Sequence, residues 1–402
     1  MAHAAAAGTR RRRPRKIPAV KSSAYAPHRI TRARFDARSR LAAVALALAL
    51  IAGLGCRPRW SADGKRITFA ALQGEAHVIA EYEVAAGRSK KLFDIELNDG
   101  AMDMVRDPDQ PRWVIVWADA VDDAVVNVRT RDDEGVQSAP IAIRPGGRNI
   151  TAIMTEPVVA DGYVFVTAST VTRVDLETGE TKSLDRPGLV AFPVAGGVGY
   201  AARHDGAWEI GRLDPKTLAL APQISRPARS DWQIRGAPRF DRAGERCAVV
   251  VSAGDSRAGL DALKWAVLFF EGDALLSTIA LEGPLAMGPI AWIDAVTIGA
   301  TVMRPGAKED RYELFETNIN GSYRRTTPVL RAPVQPRLRR EGVTYQLMQP
   351  RLLQPSPSPD GKTIAFTTAK MPSLPAARAG LLLLRRDQKN RLERIPFWGA
   401  DK

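Results

Sequence analysis

A ten-residue pattern that recurs far apart in the chain constrains the fold more than any other feature. Trp60–Phe69 reads WSADGKRITF and Pro357–Phe366 reads PSPDGKTIAF. A third copy, FDRAGERCAV at Phe240–Val249, aligns with both without a gap. Repetition of one short motif across such distances indicates a chain built from similar structural units.

Each copy of the motif has the chemistry of a strand, a tight turn and a second strand. Asp-Gly between two extended segments favours a hairpin turn, since glycine accepts a positive φ angle without steric cost. The alternation Ile-x-Phe that follows places every second side chain on one face, as in a half-buried strand. The residues assigned to these turns are Asp63, Gly64, Lys65, Gly244, Asp360, Gly361 and Lys362.

More degenerate copies fill the intervals and bring the number of units to seven. They lie around Trp113, Gly162, Gly197 and Asp294. A second hairpin follows most of the first ones, and two hairpins make a four-stranded antiparallel blade. Seven units over residues 57–402 give about 49 residues each, near the ~40–50 typical of propeller blades. We therefore predict an all-β fold, a seven-bladed β-propeller, with six or eight blades left open.

The sequence divides into a leader and a folded body. Residues 1–56 form a basic leader with an apolar export signal, and residues 57–402 form the propeller domain. A stretch rich in proline and arginine near 329–353 is interpreted as an insertion between two repeats, exposed to solvent.

The net charge of +14 belongs mostly to the leader. Residues 1–56 contain 12 Lys and Arg and a single acid, Asp36, whereas acidic and basic residues nearly balance in the body. Because nucleic-acid binding needs a basic face on the folded domain, we predict no nucleic-acid partner.

The apolar run Leu41–Gly55 has the length and flanks of a signal peptide rather than of a transmembrane helix. The residues ending in Cys56 resemble the lipobox of bacterial lipoproteins, although Gly53 and Leu54 depart from the family's preferred order. That resemblance implies lipidation of Cys56. Plain cleavage and an uncleaved membrane anchor are the alternatives. Each of them places the body outside the cytoplasm, in the periplasm or on a membrane of the cell envelope.

The motifs at Trp60–Phe69 and Pro357–Phe366 resemble the Trp-Ser-Pro-Asp-Gly-Lys repeat of the TolB-like β-propellers of the bacterial envelope. The resemblance implies a periplasmic or surface propeller that binds partners. We expect the partner to be an envelope protein or a component associated with peptidoglycan or polysaccharide, and the propeller itself to be monomeric.

No motif in the sequence assigns an active site. The nucleophile elbow Gly-x-Ser-x-Gly, the His-Glu-x-x-His zinc motif and the P-loop are all missing from it. The body has only two histidines, His77 and His204, in different repeats, and Cys247 aligns with apolar Ile67 and Ile364. We therefore assign no catalytic, cofactor or metal residues and predict a non-enzymatic binding scaffold. The alternative is a hydrolase or lyase with carboxylates from several repeats at the mouth of the propeller channel.

Overall fold

The structure, a computed structural model, describes most of the body and none of the leader. The described residues are 57–73, 76–95, 102–118, 125–144, 156–168, 170–184, 186, 189–204, 207–227, 232–254, 262–283, 286–333, 338–340, 343–345, 353–367 and 380–395. The predicted export signal and the lipidation candidate Cys56 lie outside these ranges.

The described chain forms seven antiparallel blades, six with four strands and one with five because its first strand is interrupted, so the predicted seven-bladed propeller is confirmed. Blade 1 contains β1 (Arg59–Trp60), β2 (Arg66–Gln73), β3 (Ala76–Glu83) and β4 (Arg88–Ile95). Blade 2 contains β5 (Met102–Arg106), β6 (Arg112–Ala118), β7 (Val126–Asp132) and β8 (Ile141–Ile143). Blade 3 contains β9 (Val158–Ala160), β10 (Tyr163–Thr167), β11 (Val171–Asp175) and β12 (Thr181–Leu184).

Blades 4 to 6 repeat this order. Blade 4 contains β13 (Val190–Val194), β14 (Gly197–His204), β15 (Ala207–Leu213) and β16 (Leu220–Pro227). In blade 5 the first strand is interrupted: β17 (Trp232–Ile234) and β18 (Arg239–Phe240) both pair with β19 (Arg246–Ala253), followed by β20 (Lys264–Glu271) and β21 (Ala274–Leu281). Blade 6 contains β22 (Ala286–Trp292), β23 (Thr297–Arg304), β24 (Glu309–Asn318) and β25 (Arg324–Pro333).

A separate two-stranded hairpin precedes the last blade. It consists of β26 (Leu338–Arg340) and β27 (Val343–Tyr345), which pair with each other. Blade 7 then follows with β28 (Ser356–Pro357), β29 (Thr363–Thr367), β30 (Leu381–Arg385) and β31 (Arg391–Ile395). The stretch predicted as an insertion thus begins within β25 and contains the hairpin, and Leu353 at its end is fully buried.

The first strands of the blades surround the central axis. β5 contacts β9, β9 contacts β13, and β13 contacts β18. The ring continues from β18 to β22, from β22 to β28 and from β28 to β1. Between blades 1 and 2 the ring is completed by a 3.4 Å hydrogen bond, which Arg59 donates to the carbonyl oxygen of Met104. Residues of these short inner strands are therefore placed to line a channel.

Blades 1 and 7 meet without exchanging a strand, because each takes all four strands from one continuous segment. Their contact is apolar: Ile67 and Phe69 pack in one cluster with Leu381 and Leu383. The Trp60 Nε1 group also donates a 2.8 Å hydrogen bond to the carbonyl of Ser356. Burial of side chains, rather than a shared sheet, closes the ring.

The turns of blades 1 and 7 have the same hydrogen-bond pattern. Ser61 Oγ donates to Asp63 Oδ1 at 2.6 Å, and Ser358 Oγ donates to Asp360 Oδ1 at the same distance. Gly64 and Gly361 have φ angles of 70° and 69°, which an L side chain tolerates poorly. The local sequence therefore accounts for the turn in both blades.

Blade 5 forms the equivalent turn with different side chains. Asp241 replaces the serine, and its carboxylate accepts hydrogen bonds from the backbone N–H groups of Glu245 and Arg246 at 3.0 and 3.3 Å. Gly244 again has a positive φ, 76°. Cys247 pairs across the hairpin with Phe240, and burial raises the pKa of its thiol well above the usual range. Its thiol is thus a core group.

Candidate functional site in the central channel

A buried glutamate links three arginines from two other blades. Glu156 lies just before β9 in blade 3, and its side chain is only 6% exposed. Arg59 in β1 donates a hydrogen bond to Oε1, and Arg239 in β18 donates one to Oε2 at 3.3 Å. The Nη1 atom of Arg57 lies 3.9 Å from Oε2 of Glu156. Blades 1, 3 and 5 therefore contribute to one charge cluster, which we call the channel cluster: Arg57, Arg59, Glu156 and Arg239.

The channel cluster keeps Glu156 ionised. Burial alone would raise the pKa of this carboxyl, but the positive charges of Arg59, Arg239 and Arg57 outweigh that effect and lower it to about 2. Burial also lowers the pKa of Arg57, to about 10, which leaves it positively charged at neutral pH. Glu156 and Arg57 are therefore both charged at neutral pH.

A cavity of about 430 Å³ adjoins this cluster. Arg57 and Arg59 line it together with Arg242, which lies in the first turn of blade 5. Trp60 and Ser356 contribute further lining atoms. Because the walls come from the inner strands and first turns of blades 1, 5 and 7, the cavity lies in the channel region. We call it the channel pocket.

Positive charge exceeds negative charge around the channel pocket. Arg57, Arg59 and Arg242 contribute three guanidinium groups to its lining, and none of the described lining residues is acidic. Glu156 and Arg239 of the channel cluster lie behind this wall. The Nε–H of Arg239 is buried and has no hydrogen-bond partner among the described residues. The surplus of guanidinium groups in the pocket wall suits an anionic group, because guanidinium binds carboxylate and phosphate by paired hydrogen bonds.

The assigned turn residues lie beside this pocket rather than in it. Ser61 and Ala62 line the cavity immediately before Asp63, and Pro359 lines it immediately before Asp360. The assigned turn residues therefore flank the pocket wall without contributing its charged groups, although Arg242, from the same turn as Gly244, is one of those groups. The side chains of His77 and His204 lie outside the part of the chain that the structure describes, and within that part no three His, Cys, Asp or Glu residues are grouped as metal ligands.

The channel arginines were not identified from the sequence, although a signal was present. Each lies within one residue of a proline at the start of an inner strand: Arg57 and Arg59 flank Pro58, and Arg239 follows Pro238. A charged residue at the start of a strand needs a partner of opposite charge when the residues around it are buried. That partner, Glu156, is 97 residues away from Arg59 in the chain.

The described part of the chain contains no helix long and apolar enough to cross a membrane.

Comparisons with known proteins find similarity in structure and none in sequence. No protein-family model matches the chain, and no curated protein matches it. TolB from Acinetobacter baumannii superposes with a TM-score of 0.41 at 12% identity, over 67% of this chain and 64% of that one.

Two propellers of other kinds superpose about as well. The β-propeller domain of the Trilobed protease from Pyrococcus furiosus gives a TM-score of 0.48 at 9% identity, over 87% of this chain and 98% of that one. Oligogalacturonate lyase in complex with manganese gives 0.42 at 11% identity, over 87% of each chain. All three TM-scores are below 0.5, so these likenesses assign no function to the chain.

Proposed function

We propose that the chain is an exported, non-enzymatic binding propeller of the cell envelope, and that its channel pocket receives an anionic group of the partner. The observation that carries this proposal is the surplus of guanidinium groups, Arg57, Arg59 and Arg242, around one cavity of the inner ring. A propeller supplies a rigid ring on which such groups are fixed in place. The ligand chemistry is a carboxylate or a phosphate.

The state of Glu156 favours binding over acid–base catalysis in this pocket. A general acid or base works best when its pKa lies near the working pH. The pKa of Glu156 is about 2, and its oxygens already accept hydrogen bonds from Arg59 and Arg239. Such a carboxylate orients arginines and does not exchange protons near neutral pH.

Export is supported by the sequence of the leader. The basic segment, the apolar run Leu41–Gly55 and Cys56 suit a signal peptide followed by a lipid anchor. A propeller held at a membrane by its first residues would present its loops to other envelope components, such as a protein or a peptidoglycan-associated partner. The body itself acts as a monomer in this proposal.

A titration of the purified protein tests the pocket. Inorganic phosphate and citrate serve as separate probes, measured by isothermal titration calorimetry against wild type, Arg57→Gln and Arg88→Gln. Arg88 is an arginine on the outer strand of blade 1 whose side chain is 80% exposed. Its substitution removes one positive charge, as Arg57→Gln does, but outside the channel. We expect Arg57→Gln to weaken binding by about tenfold or more, as for loss of a charge-assisted hydrogen bond.

Each result of the titration has a defined meaning. Binding of phosphate alone or of citrate alone, lost with Arg57→Gln and retained with Arg88→Gln, supports the pocket and identifies the partner's anionic group. Absence of binding by both probes contradicts the anion-receiving role. Equal weakening by the two substitutions contradicts it as well, since the effect would then follow from net charge alone.

Mass spectrometry of the mature protein from cell fractions tests export. We expect the N-terminus at Cys56 with added acyl mass in a membrane fraction, and loss of that mass in Cys56→Ser. A mature N-terminus without acyl mass would indicate plain cleavage in place of lipidation. An intact signal segment in the membrane fraction would indicate an uncleaved anchor. An intact chain in the cytosol would contradict export.

A further inference from the structure

The outer strand of blade 5 differs from the outer strands of the other six blades. β21 is eight residues long, ALLSTIAL, and contains neither a charged residue nor a proline. The outer strands β8 and β12 have only three and four residues. β4 and β31 carry several charges, and β16 and β25 contain prolines and arginines. Short length, charge and proline are the usual protections of a sheet edge against pairing with another chain.

β21 does have one irregularity, a β-bulge at Leu276, where the pairing with β20 shifts between Phe269 and Phe270. The edge is otherwise available. β21 pairs with β20, and no strand of the described chain pairs with its other side. Its side chains Leu275 and Leu276 are 49% and 43% exposed, which places them among the few large apolar side chains exposed on the described surface. A free edge of this length with exposed leucines has the properties of a strand-addition site.

An apolar cavity of about 480 Å³ lies beside this edge, between blades 4 and 5. Leu275 lines it together with Leu268 and Phe270 of β20. Trp208 of β15 and Trp232 of β17 form further parts of the wall. We call this cavity the β21 groove. Thr278 of β21 lines it as well as Leu275, because the bulge at Leu276 shifts the alternation of side chains by one residue. Along the regular part of β21 that follows the bulge, a paired chain would direct every second side chain to the groove side.

Among the described residues, the lining of the groove carries no unbalanced charge. Of the residues that the structure describes there, Arg226 is the charged one. Its Nε group donates to the carbonyl of Asp273 at 2.8 Å and lies 3.4 Å from Oδ1 of the same residue. Asp273 immediately precedes β21 and also accepts a 3.0 Å hydrogen bond from the backbone of Ser225. A ligand with a charge at the groove positions would therefore lose hydration without gaining a partner.

We propose that β21 binds an extended, uncharged segment of a partner protein, which adds a fifth strand to blade 5 and places large apolar side chains at alternate positions into the β21 groove. Main-chain hydrogen bonds supply affinity in this arrangement, and the groove selects the side chains. The site is separate from the channel pocket and does not depend on its function.

Fluorescence anisotropy with a labelled model peptide tests the proposal. The probe is acetyl-Thr-Val-Thr-Leu-Thr-Val-Thr-amide, and a second peptide replaces the central leucine by proline to remove one backbone N–H group. The protein variants are Leu275→Lys in β21 and, as a matched control, Leu392→Lys. Leu392 lies on the outer strand of blade 7 and is 39% exposed. Leu276→Lys is a second edge variant, and thermal unfolding confirms that each variant is folded.

We expect the first peptide to bind wild type and Leu392→Lys equally, and to lose about tenfold or more in affinity for Leu275→Lys. The proline peptide is expected to bind none of them. Equal binding to all variants, or equal binding of the proline peptide, would overturn strand addition. Concentration-dependent dimerisation that Leu275→Lys abolishes would also overturn it, because the edge would then serve a second copy of this chain.

Discussion

Substitution of Glu156 by glutamine removes a carboxylate that holds three arginines together, while it preserves the size of the side chain. The pKa of Glu156 is about 2 in the folded protein against 4.5 for an unperturbed glutamate. One pKa unit corresponds to about 1.4 kcal/mol, so the ionised form stabilises the fold by about 3 kcal/mol. Removal of one partner from a buried ion pair costs about 3–5 kcal/mol. Because Arg57 and Arg59 are 20% and 28% exposed, we expect the lower end, about 3 kcal/mol.

The pH dependence separates this electrostatic effect from a general packing defect. A carboxyl whose pKa is depressed on folding contributes its full stabilisation above its unfolded pKa, near pH 4.5. The contribution declines as the pH falls toward the folded pKa near 2. The free energy of unfolding of wild type and Glu156→Gln should therefore differ by about 3 kcal/mol at pH 7 and converge between pH 4.5 and pH 2.

Urea unfolding followed by tryptophan fluorescence measures both quantities. Glu177→Gln, on an exposed turn residue of blade 3, is the control and should change stability by less than about 0.5 kcal/mol. Equal stability of Glu156→Gln and wild type at pH 7 would refute the argument. A difference that stays constant from pH 7 to pH 2 would refute it as well, since it would then not arise from the carboxylate charge.

Three further predictions concern the turns, the ring closure and the core. Gly361→Ala should destabilise by about 2–3 kcal/mol, since a Cβ there meets the left-handed φ penalty and lies 2.6 Å from the carbonyl oxygen of Ile293. Gly272→Ala, with open space around it, should cost only about 1 kcal/mol, and urea unfolding compares the two. Trp60→Phe should lower the unfolding free energy by about 1 kcal/mol through loss of its 2.8 Å interblade hydrogen bond. Cys247 should react with iodoacetamide only after unfolding, as mapped by peptide mass spectrometry, because its thiol is buried and its pKa is raised.

The features of the fold that the sequence predicts are local ones. Asp-Gly turns depend on a few adjacent residues, so the local sequence alone predicts the turns at Gly64 and Gly361. The count of seven blades followed from the spacing of such turns, and it is confirmed. Local repetition is enough to predict the architecture, because each blade forms from one continuous segment.

The channel could not be predicted in the same way, because closure of the ring alone brings its residues together. Arg59 and Glu156 are 97 residues apart, and Arg239 and Glu156 are 83 apart. The inner strands β1 and β18 have only two residues each, too few for any periodic pattern. The free edge of β21 likewise emerged only by comparison with the other outer strands in the assembled ring.

Crystallographic anomalous scattering from selenate tests the central claim, which is that the channel pocket binds an anionic group. We predict a selenium peak in the pocket, with selenate oxygens within hydrogen-bond distance of the guanidinium groups of Arg57, Arg59 and Arg242, in crystals of wild type. Crystals of Arg57→Gln soaked in the same way should show no peak there. A pocket without selenium in wild type, while selenate occupies surface arginines elsewhere, would contradict the account.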